Sequence, residues 1–117
     1  MGLRDRMRKI GVATTELEHE RLAARYAGLG DTTIAEAPLR ERTRLAGEIT
    51  SIRVVPRAGS PSLEVTVSDG SGTLAVAVFT GRRSIPGVTP SRGIVLDGVA
   101  RRERARVLLL NPAYELQ

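Results

Sequence analysis

The chain has no cysteine and no tryptophan, and only one histidine, one lysine, one phenylalanine and two tyrosines. Each shortage removes a class of function. Without cysteine there is no disulfide, no thiolate nucleophile and no thiolate metal site, and a reducing, cytoplasmic location is the expectation. His19 stands alone on the charged side of a helical pattern, so a surface position is expected rather than a ligand or a base. Asp69 and Asp97 are separated by fold elements, and no Ser-His-Asp arrangement has a nucleophile-elbow context. The chain therefore reads as a non-enzyme without a cofactor. Long apolar runs are missing too: the longest, VLLL at 107–110, falls far below the roughly 18 residues of a membrane span. The opening MGLRDRMRKIGVATTELEHE has no apolar segment of the signal-peptide kind, and Asp5 and three Glu break the basic face of an interfacial helix. With so few rings, the core must be built from Val, Leu, Ile and Ala.

What is present suits a small globular protein. The 117 residues are about one domain, with 41% apolar and 26% charged residues. The net charge of +5 is unevenly placed: residues 1–38 hold six basic and six acidic residues, residues 39–117 twelve and seven. All the excess lies in the second part, where a nucleic-acid partner would need it. All but one of the 18 basic residues are Arg. A GC-rich genome gives the same bias, so charge alone leaves a solvated surface open as the alternative.

Residues 1–13 read as a loose tail. Thr15 and Glu18 then have capping-box spacing, Leu22, Tyr26 and Leu29 share a helical face, and Gly28 and Gly30 are stop signals, which predicts a helix over 15–28. From residue 40 the pattern becomes short Val/Leu/Ile/Thr runs between Pro and Gly clusters, which is strand grammar. RTRLAGEITSIRVV (42–55) carries Gly47 and a slip in alternation near Ser51, so a bulged, bent strand is predicted, with Ile52 and Val54 taking over the inner side. LEVTVS (63–68) places Leu63, Val65 and Val67 inward. TLAVAVF (73–79) sets Leu74, Val76 and Val78 against Ala75, Ala77 and Phe79, with Phe79 in the outward register.

VSDGSG between these two runs could be a phosphate loop or a chain reversal. A phosphate loop needs a helix behind it, whose free N–H groups hold the anion. A period-two strand follows instead, and the Walker lysine is absent, so a hairpin turn at Asp69-Gly70 is predicted. RGIVLDGVA (92–100) and ARVLLLN (105–111) read as fourth and fifth strands, joined by a charged reversal at Arg101-Arg102-Glu103-Arg104. The apolar fifth strand is expected to be covered on both faces, by the N-terminal helix or by a partner subunit.

Five strands with a long bent first strand predict a mainly β fold, a five-stranded Greek-key barrel preceded by an N-terminal α-helix. The phrases LAGEITSIR, LEVTVSDGSGTLAVAVF, GIVLDGVARR and VLLLNPAYEL resemble the OB-fold nucleic-acid-binding domain family over about residues 40–117. The anticodon-binding-like barrels share the pattern. So does the wedge domain of RecG-type branched-DNA helicases, which ends in a similar N/H-P-x-Y-E phrase. As a whole the chain resembles a small stand-alone actinobacterial OB-fold protein, with residues 1–38 as tail and helix and 39–117 as the OB-fold domain.

The resemblance implies a single-stranded or branched nucleic acid held on the face of the second and third strands, between the first loop and the fourth-to-fifth loop. Carried onto this sequence, it points to Arg53 and Arg57, and to Arg101, Arg102 and Arg104. Arg82 and Arg83 in the third-to-fourth connection are expected to reach the same side, and Arg42 and Arg44 to share a face at the mouth of the first strand. Phe79 would either supply a base-stacking ring or close a core or an interface, while Tyr114, matching the terminal aromatic, is expected to pack. Several stacking rings are usual in strong binders, so weak, salt-sensitive, sequence-tolerant binding is the expectation. The alternative is a protein-interaction module on the same scaffold, binding a protein partner or a second copy and no nucleic acid.

Overall fold

The computed structural model describes residues 3–117, with side chains from Thr14 onward. One helix, α1 (Leu3–Tyr26), precedes six strands: β1 (Arg42–Arg57), β2 (Ser60–Ser68), β3 (Leu74–Thr80), β4 (Gly93–Glu103), β5 (Arg106–Leu110) and β6 (Ala113–Leu116). The strand order is β1-β2-β3-β5-β4-β6, and β1 also pairs with β4. That extra pairing closes the first five strands into a ring. All pairings are antiparallel except β3–β5, which is parallel.

Closure depends on the bend in β1. Its first half pairs with β4 from Arg42↔Val99 to Glu48↔Gly93, and its second half pairs with β2 from Glu48↔Ser68 to Arg57↔Ser60. The register shifts between Ile49 and Ser51, where the sequence slip predicts a bulge. Gly47 sits at the crossing: a Cβ there would come within 2.7 Å of the Ser68 carbonyl oxygen and of Val67 Cγ1. Leu45, Ile49, Leu63, Val65, Val67, Ile94, Leu96, Val107 and Leu109 fill the interior. Ile85 and Val88 from the 81–92 connection join them. The second half of β1 departs from expectation, since Val54 stays 49% exposed.

VSDGSG is a hairpin connection, because β2 and β3 pair antiparallel from Ser62↔Thr80 to Ser68↔Leu74. Asp69 organises it. One carboxylate oxygen accepts the Ser71 N–H at 3.0 Å and the other accepts the Ile34 N–H at 2.8 Å. Gly70 takes φ +83°, and a Cβ there would collide with the His19 carbonyl of α1. The glycine thus serves the turn and also lets the helix lie directly on it.

The helix is longer than the capping signal implies. It starts at Leu3, so the segment expected as a loose tail is helical from there, and Thr15 lies within α1 rather than at its cap. Arg, Lys, Met and Leu before Thr15 are good helix formers and carry it through. It ends at Tyr26, followed by Gly28 at φ +79°. Leu22 and Tyr26 are buried against Ala46 of β1 and Val95 of β4, whereas Leu29 stays 40% exposed. Full burial of two such side chains contributes about 1.5–3 kcal/mol each. Arg21 adds a polar tie, binding Glu18 at 2.5 Å and Glu48 at 2.7 Å. Among the residues with described side chains, the helix packs on β1 and β4 rather than on β5. On β5, Leu108 packs with Val76 and Val78 on the outer face, and Leu110 is half exposed.

Candidate nucleic-acid interface

The outer face of β2, β3 and β5 carries Glu64, Val76, Val78 and Leu108, each 8% exposed or less. Its rows follow from register: Arg53 lies opposite Glu64, Glu64 opposite Val78, Thr66 opposite Val76, Val76 beside Leu108, and Leu108 opposite Arg101. A cleft of about 520 Å³ opens over it. Val76 and Leu108 form an aliphatic floor. Arg53 and Arg57 stand on the side of the β1–β2 turn, and Arg104 and Arg106 on the side of the β4–β5 turn.

Four guanidiniums face two carboxylates, Glu64 and Glu103, in this cleft. Glu64 is nearly buried, with Arg53 Nη2 at 3.3 Å from one oxygen and Arg57 Nη2 at 3.5 Å from the other. Arg57 also reaches Glu103 at 4.0 Å, and Arg101 reaches it at 3.9 Å. The acids hold three of the arginines over the sheet at distances longer than a good charge-assisted bond. Arg104 and Arg106 have no ion pair among the described residues. Such a cleft can take phosphates between its arginines, over the nearly buried side chains of Val76 and Leu108. It has no ring on which a base could stack.

The expected site residues therefore separate. Arg53, Arg57 and Arg104 come together in the cleft, and Arg101 reaches its edge through Glu103. The reversal is tighter than expected: β4 runs to Glu103, so Arg101 and Arg102 are strand residues and Arg104-Ala105 makes the turn, with Arg104 at φ +59°. Arg102 lies in a neighbouring cleft with Arg40. Arg82 and Arg83 are exposed on the connection that leaves β3, where the Gly81 N–H donates to the Pro61 carbonyl, and neither lines the cleft. Arg42 and Arg44 are on the β1–β4 side. Arg42 Nε donates to Asp97 at 2.7 Å, and this hydrogen bond, helped by the charge, raises its pKa above the usual arginine value. Arg44 lines a small recess with Val95, Asp97 and Tyr114.

Phe79 is a correction. Its register is inward, not outward: Ala75, Ala77 and Phe79 face the core, while Val76 and Val78 face out. The ring is 7% exposed and meets Tyr114 edge-on at 5.7 Å, so no base can stack on it. The sequence misleads here because both sets of alternating positions in β3 are apolar. Two participants were missed. Arg106 lies two residues before Leu108, on the same strand face, and Glu64 was already in the outward register of LEVTVS; each could have been found by extending the alternation.

No family model matches the chain, and no curated protein matches it in sequence. Solved structures do match it in shape. An OBody bound to hen egg-white lysozyme superposes with a TM-score of 0.58 at 15% identity, over 75% of this chain and 93% of that one. A replication factor A related protein from Methanobacterium thermoautotrophicum gives 0.55 at 16% identity, over 74% and 89%. The fold is an OB-fold. The S. pombe Stn1–Ten1 complex adds a match at 0.50 and 20% identity, covering 65% of this chain and 57% of that one. On this OB-fold, α1 and β6 are additions around β4: β6 pairs with it from Ile94↔Leu116 to Asp97↔Ala113, and α1 packs on Val95.

Proposed function

We propose that the protein is a non-catalytic binding module that holds single-stranded nucleic acid along its sugar-phosphate backbone, weakly and without sequence specificity. The observation that carries this reading is the cleft on the β2–β3–β5 face, flanked by Arg53 and Arg57 on one side and by Arg104 and Arg106 on the other. OB-folds in general use this face, between these two turns, for oligonucleotides and oligosaccharides. The arginine rim favours a polyanion over a neutral sugar, because guanidinium forks match phosphate oxygens. The aliphatic floor supports weak, sequence-tolerant binding. A replication factor A related protein among the structural neighbours is in keeping with this reading.

The test is fluorescence anisotropy with a labelled single strand and a matched duplex, at low and at physiological salt. Tighter binding of the single strand, falling steeply with salt, is the expected result. Absence of binding at low salt would sink the proposal. The second reading, a protein-interaction module, draws on the OBody neighbour, an OB-fold bound to a protein, and on the ring-free floor of the cleft. Under that reading neither nucleic acid binds.

A further inference from the structure

We propose that the bound strand does not end in the cleft but continues over the β4–β5 hairpin into a second cationic recess, formed by Leu39, Arg40, Val99, Arg101 and Arg102. The inference rests on the reading of the first cleft as a nucleic-acid site, and it sets the length of strand the protein engages. The second recess has a volume of about 490 Å³, and no carboxylate lines it. Neither Arg40 nor Arg102 has an ion pair among the described residues. Of the three arginines that line it, only Arg101 has an acid within reach, Glu103 at 3.9 Å, so Arg40 and Arg102 leave uncompensated positive charge that an anion would neutralise.

The recess is built rather than incidental. Arg40 is held in the left-handed region at φ +66°, with its N–H donating to the Ala100 carbonyl at 2.7 Å. Beside it Leu39 and Val99 are 40% and 56% exposed, an apolar pair on which a sugar or a base face can rest without readout of sequence. Arg101 connects the two sites. It lines the second recess, and its Nη2 lies 3.9 Å from Glu103, which lines the first. An acidic peptide with an apolar anchor would also match the recess. Continuity through Arg101 favours the strand.

The test uses the full chain and labelled oligothymidylates of about four and about twelve nucleotides, a short and a long strand within the usual span of one OB-fold. The long strand is expected to bind tighter, with a steeper salt dependence. Replacing Arg40→Gln together with Arg102→Gln is expected to lower the long-strand salt slope by about 1.4, at about 0.7 per lost phosphate contact, and to leave the short strand unchanged. Arg102→Gln alone, with half that effect, serves if the double variant fails to fold. Equal losses at both lengths, or none at either, would overturn the extension. A wild-type protein that binds the short strand but gains nothing from length locates the failure in the extension alone. Binding of neither strand removes the first cleft and the extension together. Capture of an alternating Glu-Leu peptide, dependent on Arg40 and Arg102 while both strands bind as before, would assign the recess to a protein and overturn the proposal.

Discussion

On the β1–β4 side of the barrel, Ala46 and Val95 lie under Leu22 and Tyr26 of the chain's own helix. On the β2–β3–β5 side, Val76 and Leu108 lie at the bottom of a cleft walled by arginine. Both faces offer small aliphatic patches between polar rows. The first admits the helix closely, because side chains at Gly70 and Gly93 would press on the His19 carbonyl and the Tyr26 ring. The second has Glu64 set into its centre and long guanidiniums at its rim. Seating an apolar helix there would strip water from those charges, which is unfavourable unless every one of them finds a partner. The placement of charge, together with Gly70, suits one side of the barrel to the chain's own helix and makes the other side unfavourable for it.

The sharpest way to break the comparison is to damage the covered face and ask whether the open one notices. Gly70→Val puts a side chain into the His19 carbonyl at a positive φ, and Leu22→Ala empties the helix seat. Each is expected to lower stability by about 2–3 kcal/mol, read as a drop in the thermal midpoint, with the single-strand affinity of the folded protein unchanged. A parallel loss of affinity would mean that the faces are not independent. Ala105→Trp sharpens the contrast from the other side: Ala105 is exposed and lines the cleft, and a stacking ring there is expected to strengthen single-strand binding by about 1–3 kcal/mol in anisotropy titrations. Arg104→Ala and Arg106→Ala should each reduce the salt slope by about 0.7 and shift stability by no more than about 0.5 kcal/mol. Glu64→Gln removes the anion that competes with phosphate for Arg53 and Arg57, so affinity is expected to rise several-fold; a fall would assign Glu64 a positioning role.

The smallest effect belongs to pH on the covered face. The hydrogen bond from Arg21 lowers the Glu18 pKa below its ordinary value. A carboxylate with a depressed folded pKa stabilises above its unfolded pKa, and that contribution fades as pH falls through the folded one. Glu18 is exposed and its ion pair is screened by solvent, so Glu18→Gln is expected to leave the acid limb of the melting profile almost unmoved. A clear shift would make the Glu18–Arg21–Glu48 link a larger part of helix docking than Leu22 and Tyr26 suggest.

Most of the barrel is legible in the sequence because alternation and glycine placement act locally. The slip near Ser51 and the crowding at Gly47 are consequences of one chain needing two partners, and both leave marks in the residues. The inward register of Phe79 is not legible, since Leu74-Ala75-Val76-Ala77-Val78-Phe79 is apolar on either reading and the side that faces the core is set by the hairpin register, which pairs Phe79 with Leu63 and Ala77 with Val65 and which the turn residues alone do not fix. The strand β6 is hidden for a similar reason: AYEL is too short to carry a period, and it pairs only because β4 presents an open edge. Arg53, Arg57 and Arg104 line the cleft because they flank the β1–β2 and β4–β5 turns, whereas Arg82 and Arg83, on a longer connection, do not reach it. The placement of Arg42 and Arg44 is not legible, because a shared strand face says nothing about which side of a closed barrel it occupies.

The seam of the barrel has a further meaning. A cylinder closed by two separate strands could open along the line between them, as a book opens at its spine. Here the closing line runs inside β1, one continuous strand that gives Leu45 to β4 and Ile52 to β2. Neither half can peel away without stripping the edge of the other. Heating should then show a single transition for the barrel, and the amides of β1 on either side of Thr50 should exchange with solvent together, on the timescale of the whole domain rather than of a loop.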